Sequence, residues 1–410
     1  MPEFLTLTPP REALALFLQS INYRTSIEEV ETSEALGRIT YLPTKATMPL
    51  PSFPRSTVDG YAVRAGDTFG ASDSLPTYLE LVGEVPMGGT PQFSVASNQC
   101  AVIHTGGMIP DGADSVVMVE TTQHVGEGEV EFFRAVAVGE NVIAVGEDVK
   151  EGQEVIPAGS RLRPAEIGGL MALGLTKITV ACKPKIGIIS SGDEVVSPSE
   201  ELIPGQVRDV NTFSLSAMVE KSGGIPVQYG IVADSKDAML SIVAKAKGVC
   251  DLVVITAGSS ASSRDLTAVV INELGSPGVL VHGVNVRPGK PTILAVCDDK
   301  AIIGLPGNPV SALVISWLYV VPVIDKLLGV KRKRLPPTRS ARLTINLSSQ
   351  AGREDWVAVR LIQDKDGYKA EPIFGKSNLI FTLARADGLV RIEESATGIG
   401  VGSIVEVYLL

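Results

Sequence analysis

The sequence has few of the residues that mark disulfide frameworks, metal clusters and nucleophilic triads. Its 410 residues include 4 cysteines and 3 histidines, all widely separated. Cys100, Cys182, Cys250 and Cys297 form no C-x-x-C pair, which argues against a zinc ribbon and predicts reduced core thiols in a cytoplasmic protein. A G-x-S-x-G motif is also missing, so nothing indicates a serine-hydrolase triad.

The chain also lacks an excess of positive charge. Lys and Arg number 36 against 46 for Asp and Glu, which gives a formal charge of −10. Nucleic acids and membrane surfaces are polyanionic and repel an acidic protein, so we expect neither as a partner. The polar N-terminus, with Glu3 and Arg11 ahead of a short apolar stretch, does not match a secretory signal and predicts a cytoplasmic location.

One long segment, from Ala301 to Ile324, lacks charged residues and is long enough on paper to cross a bilayer. It is interrupted by Pro306, Pro309 and Pro322. Because unpaired loop backbone cannot face lipid, we interpret the segment as a buried strand, a tight loop and then a buried helix.

The N-terminal 180 residues and the rest of the chain follow different patterns. Short strands between Gly-rich turns dominate the first part, where we predict helices at 10–22, 26–36 and 164–174. From about 185 to 328, strands and helices alternate, which predicts a mostly parallel sheet with helices on both faces.

The basic run 331–337 is interpreted as a solvated linker in preference to an anion site, and after it residues 341–410 return to short strands. The predicted fold class is therefore multidomain α/β plus β, with a three-layer α/β domain between β-rich regions. We place the domains at 1–48 together with 141–180, 49–140, 181–330 and 337–410.

Three loops of unusual composition should meet at the carboxyl edge of the predicted sheet, where ligands of such folds bind. Ser190–Glu194 ends in two carboxylates, and 256–265 is rich in Ser and Ala and leads into a helix, which suits a phosphate. The third loop is Gly304–Pro309, and Arg287 and Lys290 add two cations nearby.

Carboxylates beside a phosphate loop favour a bridging divalent cation, usually Mg²⁺. The candidates are Asp193, Glu194, Asp234 and Asp265. For any one of them a helix N-cap or a solvated loop acid is an equal alternative, but four at one edge favour a functional site.

Several motifs occur in the order in which a known family has them. They are Pro51–Val63 (PSFPRSTVDGYAV), His104–Pro110 (HTGGMIP), Gly146–Asp148, Ser191–Glu194, Asp209–Asn211, Arg287–Pro291 and Leu305–Ala312 (LPGNPVSA). With these motifs spread over nearly its whole length, the chain resembles the molybdopterin molybdenumtransferase family, which is related to the gephyrin E domain.

This resemblance implies a transferase that forms an elongated homodimer, with 1–48 and 141–180 as the linking and dimerisation domain. The implied substrates are adenylylated molybdopterin and molybdate, with Mg²⁺-dependent cleavage of the phosphoanhydride and release of AMP and molybdenum cofactor. A molybdopterin adenylyltransferase would act upstream as a partner. The alternatives are a tungsten-inserting counterpart, a molybdopterin adenylyltransferase, and a non-catalytic cofactor-binding scaffold.

The resemblance also assigns residues by position. The implied catalytic residues are Asp59, Asp148, Glu194, Asp234, Asp265, Arg287 and Lys290. Glu194 and Asp265 would hold Mg²⁺, and Arg287 and Lys290 would bind phosphate or molybdate. The implied substrate contacts are Thr105, Ser191, Gly192, Asp193, Gly258, Ser259, Ser260, Pro306, Gly307, Asn308 and Ser377. Asp59 would close the site from the β-rich half, across the dimer.

Two departures from the family pattern concern the substrate. The 256–265 loop (TAGSSASSRD) has two glycines fewer than is common in the family, and Gly283 stands where several members have Lys or Arg. We expect the first to change the phosphate pose and the second to affect the oxyanion.

Overall fold

The structure, a computed structural model, describes residues 7–126, 128–257, 261–331 and 337–410, and for 261–265 only the backbone. Gly258, Ser259 and Ser260 therefore lie outside the described residues, as does the side chain of Asp265. The positions predicted for them are carried forward as predictions.

The N-terminal part packs against the rest of the chain through its first helix. Helix α1, Pro10–Gln19, begins at a proline, whose missing N–H is not needed at that position. Ala13 and Phe17 of α1 are fully buried in the core of the central sheet. A second helix, α2, spans Pro164–Ala172.

The helix predicted at 26–36 is wrong. Ile27–Glu31 is a strand that pairs antiparallel with Lys177–Ala181, and a 3₁₀ turn, Thr32–Glu34, follows. The apolar residues Ile27 and Val30 have helical spacing, but both are β-branched, and pairing with a distant strand satisfies the backbone.

Residues 49–140 contain a six-stranded sheet, as the short strands in the sequence predict. In spatial order its strands are Ser115–Met118, Gly60–Val63, Gln99–Ile103, Thr77–Glu84, Glu129–Phe132 and Thr122–Val125. Tyr61, Leu79 and Phe132 form part of its buried core. A two-stranded ladder of Arg55–Ser56 with Val142–Ile143 links this region to the rest of the N-terminal part. Within that remaining part, Thr44–Lys45 pairs with Glu154–Ile156.

The central region is a six-stranded sheet in which four strands are parallel. The strands are β1 Lys185–Ser191, β2 Ile225–Val232, β3 Leu252–Ala257, β4 Pro277–His282, β5 Ile293–Cys297 and β6 Lys300–Pro306. Their order is β2-β1-β3-β6-β5-β4, with β5 and β4 antiparallel to their neighbours. The prediction of a mostly parallel sheet is confirmed.

Helices cover both faces of this sheet. They are α3 Asn211–Ser222, α4 Lys236–Val249, α5 Ala261–Glu273 and a long helix, Pro309–Leu328, with a π-helical turn at Ser316–Val320. Alternate residues of β3 enter the two cores: Val254 packs with α3 and the long helix, and Val253 packs with α4 and α5. The carboxyl ends of β1, β3 and β6 are therefore adjacent at one edge of the sheet.

Among the described residues, one helix, Pro309–Leu328, is long and apolar enough to span a membrane, and 61% of its most apolar stretch is buried inside the protein. Ala312, Ile315 and Tyr319 pack in the core of the central sheet. The segment is the buried strand, loop and core helix that its prolines and glycines predict.

The C-terminal part is a small barrel. Its strands are Thr338–Leu343, Glu354–Asp364, Gly367–Pro372, Gly388–Ile392 and Ile404–Leu409, which pair in a closed ring. A short strand of the central region, Val286–Arg287, pairs parallel with Glu354–Asp355 of this barrel. The central region and the barrel therefore share a sheet at the point where the cations Arg287 and Lys290 are located.

Candidate functional site

The end of β3 and the loops after β1 and β6 line a cavity of about 520 Å³, which we call the strand-end cavity. Its lining comes from the carboxyl ends of the strands, from the start of α3 and from one barrel residue. The lining residues are Ser190, Ser191, Glu194, Val195, Leu202, Gln206, Val207, Arg208, Asp209, Val210, Asn211, Thr256, Gly307, Asn308, Pro309 and Asn378.

A buried polar network forms the floor of this cavity. Ser190 Oγ donates to Asp209 Oδ1 at 3.0 Å and lies 3.0 Å from Thr212 Oγ1 and 3.2 Å from Thr256 Oγ1. The Thr212 backbone N–H also donates to Asp209 Oδ1, at 3.1 Å, which fixes the carboxylate at the start of α3. These four side chains are 6% exposed or less, so the network is rigid and shielded from solvent.

The rim of the same cavity carries the acidic loop after β1. Ser191 Oγ donates a short hydrogen bond to Asp234 Oδ1, and the Asp234 backbone N–H donates to Asp193 Oδ1 at 3.2 Å. Gly192 has φ +146°, a backbone conformation that L side chains rarely adopt, so this turn favours glycine. Glu194 is exposed and lines the cavity, whereas Asp193 and Asp234 hold the loop in shape.

A second cavity, of about 940 Å³, lies between the central region and the barrel, and we call it the cationic cavity. Arg287, Lys290 and Lys376 line it, with Ser377 from the barrel. Pro306 lines this cavity, Gly307 lines the strand-end cavity, and Asn308 lines both. Asn378 also lines both, so the two cavities adjoin at Asn308 and Asn378.

Asp59 and Thr105 form a hydrogen-bonded pair at the ends of two strands of the 49–140 sheet. Thr105 donates to Asp59 Oδ1 from its backbone N–H at 2.8 Å and from Oγ1 at 3.2 Å. The backbone hydrogen bond is the main cause that lowers the pKa of Asp59 below its ordinary value, and nearby His104 adds to it. Asp59 is exposed and lines neither the strand-end nor the cationic cavity of its own chain.

Asp148 also lines neither cavity of its own chain. Asp148 is exposed, and its backbone N–H donates to the Leu50 carbonyl at 3.0 Å. The structure thus brings together eight of the predicted site residues at the two cavities, namely Ser191, Glu194, Arg287, Lys290, Pro306, Gly307, Asn308 and Ser377. Asp59, Thr105 and Asp148 lie elsewhere in the chain.

The donor set fits a Mg²⁺ that is held partly by substrate. Within the described part of the chain, no three His, Cys, Asp or Glu side chains come together as a metal site. Glu194 and Asp209 both line the strand-end cavity, and Mg²⁺ in phosphate sites commonly takes one or two carboxylates with phosphate oxygens and water. The residues present therefore suit a metal that arrives with a phosphorylated ligand.

The lining residues outside the predicted set include Asp209, Asn211, Thr256, Lys376 and Asn378. Asp209 and Asn211 were noted as part of a motif, and Thr256 as the start of a loop, without an assigned role. Lys376 and Asn378 carry no local signal, because only the docking of the barrel on the central region brings them to the cavities. Polar residues directly after a buried strand or at a helix start were the available signal for the other three.

Comparison with known proteins gives a consistent result over the whole chain. Residues 8–174 match the MoeA N-terminal region (domains I and II), 187–326 match a domain described as a probable molybdopterin binding domain, and 340–410 match the MoeA C-terminal region (domain IV).

Individual relatives align over almost their full length. A protein of Methanocaldococcus jannaschii named for molybdopterin biosynthesis is 35% identical over 94% of this chain and 92% of its own. The molybdopterin molybdenumtransferase of Nostoc is 33% identical over 93% and 88%. A crystal structure of the molybdopterin biosynthesis MoeA protein of Pyrococcus horikoshii superimposes with a TM-score of 0.86 at 32% identity, covering 99% of this chain and 100% of that one.

Proposed function

The chain belongs to the MoeA family of molybdopterin molybdenumtransferases, and on this basis we propose that it inserts molybdenum from molybdate into adenylylated molybdopterin, releasing AMP and molybdenum cofactor. The observation that carries the proposal is the pair of adjoining cavities. One is rich in hydrogen-bond acceptors and the other carries Arg287, Lys290 and Lys376. A substrate in which a neutral heterocycle is joined to a diphosphate fits this division.

The cationic cavity binds the oxyanion. Arg287 and Lys290 are exposed to it and carry two positive charges on one rigid loop, which favours molybdate and the substrate phosphates. Thr292 Oγ1 donates to the Gly289 carbonyl at 2.6 Å, which fixes the turn between Arg287 and Lys290. These residues orient the oxyanion beside the phosphate that leaves with AMP.

Glu194, with Asp265 as its predicted partner, would hold Mg²⁺ at the strand-end cavity. When bound, Mg²⁺ withdraws charge from the phosphoanhydride oxygens and so eases cleavage of that bond. Ser191 and Asp234 hold the loop that carries Glu194, and the buried network around Ser190 fixes the strand end beneath it.

We propose further that the protein works as a homodimer in the cytoplasm and receives its pterin substrate from a molybdopterin adenylyltransferase. Asp59 and Thr105 line neither cavity of their own chain, yet they match acidic and contact positions of the family. In a dimer, the 49–140 sheet of one copy would cover the cavities of the other and supply Asp59.

The test is AMP release from adenylylated molybdopterin with Mg²⁺, with and without molybdate or tungstate. Release that depends on molybdate supports the proposal, and release that depends only on tungstate identifies the tungsten-inserting counterpart. AMP incorporation from ATP would identify an adenylyltransferase instead. Tight ligand binding without release would identify a scaffold.

Glu194→Gln provides the matched variant for this assay. It keeps the size of the side chain and removes its charge, so we expect AMP release to be abolished while thermal unfolding is unchanged. Unchanged turnover in Glu194→Gln would remove Glu194 from the mechanism.

A further inference from the structure

Asn211, the first residue of α3, has its side-chain amide fixed in one orientation. Its Nδ2 donates to the Gly307 carbonyl at 2.8 Å. A carbonyl oxygen can only accept, so Nδ2 must face Gly307 and Oδ1 must point the other way. The position of the acceptor atom therefore follows from hydrogen-bonding chemistry alone.

Asn211 Oδ1 has no donor among the residues that the structure describes, although it is buried. The whole residue is 8% exposed and lines the strand-end cavity. A buried amide oxygen without a donor is destabilising, and such atoms in folded proteins usually have a ligand or an ordered water as partner. Asn211 thus brings an acceptor without a donor to the wall of the strand-end cavity.

The cavity lined by Asn211 offers the carboxylates of Glu194 and Asp209 as acceptors, and side-chain amides at Gln206, Asn308 and Asn378 that can donate or accept. Ser190 already donates to Asp209, and the Asp209 carboxylate adds negative charge two residues from Asn211. Arg208 is the one cation among the described lining residues of this cavity, and its guanidinium donates to the carbonyls of Pro198 and Glu200. A ligand N–H group would supply the donor that Asn211 Oδ1 lacks, and the nearby Asp209 carboxylate favours a donor at the same end.

We propose that Asn211 Oδ1 accepts a hydrogen bond from the amino-bearing edge of the substrate's pterin ring and thereby selects for the 2-amino group. This inference rests on the proposed function, and it assigns the pterin to the strand-end cavity and the oxyanion to the cationic cavity. A pterin carries N3–H and the 2-amino group side by side, whereas adenine, the other ring of the substrate, carries one amino group flanked by acceptors. The acceptor-rich floor matches the pterin.

The experiment compares binding of pterin and lumazine to the full chain by ligand fluorescence, in EDTA so that no metal contributes. Lumazine carries a carbonyl oxygen in place of the 2-amino group. That oxygen would face Asn211 Oδ1, and two acceptors cannot form a hydrogen bond with each other. We expect pterin to bind at least about tenfold more tightly than lumazine to the wild-type chain. This comparison needs no variant and so does not depend on any substitution being tolerated.

The variant arm uses Asn211→Leu, which is similar in size and removes the acceptor. We expect pterin and lumazine then to bind within about twofold of each other. Asn272→Leu is the matched control, because Asn272 lies on α5, is exposed and lines neither cavity, and it should keep the wild-type preference.

Equal binding of pterin and lumazine to the wild type, or no pterin binding, would overturn the inference. An Asn211-dependent preference for adenosine over inosine would overturn it in favour of the adenine ring. AMP release without pterin preference would leave the proposed function standing and remove this assignment. Pterin preference without AMP release would support the pterin assignment and contradict the proposed transferase activity.

Discussion

Arg287 lies directly opposite Asp355 in the parallel strand pair that joins the central region to the barrel. Both line the cationic cavity, and Asp355 is only 3% exposed. A buried acid in an anion site would repel its ligand, but Arg353 donates to both Asp355 oxygens, at 2.7 and 2.9 Å. Arg353 therefore neutralises Asp355 and leaves the charge of Arg287 available to the oxyanion.

This arrangement predicts that Arg353→Gln weakens molybdate binding about tenfold, although Arg353 does not line the cavity. The uncompensated Asp355 carboxylate should also lower the free energy of unfolding by about 1–3 kcal/mol. Adding Asp355→Asn should restore most of both losses. Arg360→Gln, which alters an exposed ion pair of the same barrel, serves as the control, and equal losses in both variants would contradict the account.

Binding of the oxyanion can be followed by tryptophan fluorescence. The chain has 2 tryptophans, Trp317 and Trp356, whose rings lie 5.0 Å apart, and Trp356 lines the cationic cavity. We expect molybdate to change their emission and Arg287→Gln to shift the midpoint about 10- to 100-fold, because a charge-assisted hydrogen bond is lost. A titration that Arg287→Gln leaves unaltered would place the oxyanion elsewhere.

The network under the strand-end cavity should be important for stability. Ser190→Ala removes the hydroxyl that donates to Asp209 and leaves that buried carboxylate short of a donor. We expect a loss of about 1–3 kcal/mol in the free energy of unfolding, measured by denaturant titration. Ser199→Ala, in an exposed loop, should be neutral, so equal stability of the two variants would show that the network does not matter.

The proposed sharing of the site across a dimer predicts complementation. Asp59→Asn and Glu194→Gln should each be inactive alone, because each removes one half of every site. In a mixed dimer one of the two sites is intact, so random mixing should restore about a quarter of the wild-type activity. Mixtures refolded together and assayed for AMP release test this, and a complete lack of recovery would show that Asp59 and Glu194 do not act in one shared site.

The capping of α2 predicts a stability change in acid. Arg163 hydrogen-bonds Glu166 and lowers the pKa of this carboxyl from 4.5 to about 2. Because the folded-state pKa is lowered, the stabilisation is present above about pH 4.5 and is lost as the pH falls towards 2. Glu166→Gln should therefore cost about 0.3–1.5 kcal/mol at pH 7, measured by thermal unfolding, and the difference should shrink below pH 4.5. A difference that does not depend on pH would contradict this.

The central sheet could be predicted from the sequence because its strands are continuous apolar runs and α3 and α4 have clear end signals. Gly223 ends α3 with φ +96°, and Ser235 Oγ accepts the Ala238 N–H at the start of α4. The 26–36 segment could not be predicted, because its strand depends on pairing with Lys177–Ala181, about 150 residues away.

The site residues also include some that the local sequence predicts and others that depend on contacts between distant parts of the chain. Glu194, Asn308 and Arg287 follow or flank buried strands, so their position at a sheet edge could be predicted from local pattern. Asn378 and Lys376 could not, because the barrel reaches the cavities only through its docking on the central region. The acceptor role of Asn211 was also out of reach, since it depends on which amide atom faces Gly307.

The most direct test of the central claim is to measure AMP and pterin-bound molybdenum in one reaction of the chain with adenylylated molybdopterin, Mg²⁺ and molybdate. Molybdenum insertion at this site predicts equal amounts of the two products, formed together and abolished together in Glu194→Gln. AMP formed without pterin-bound molybdenum would mean simple hydrolysis and would contradict the assignment of molybdenum insertion to this site.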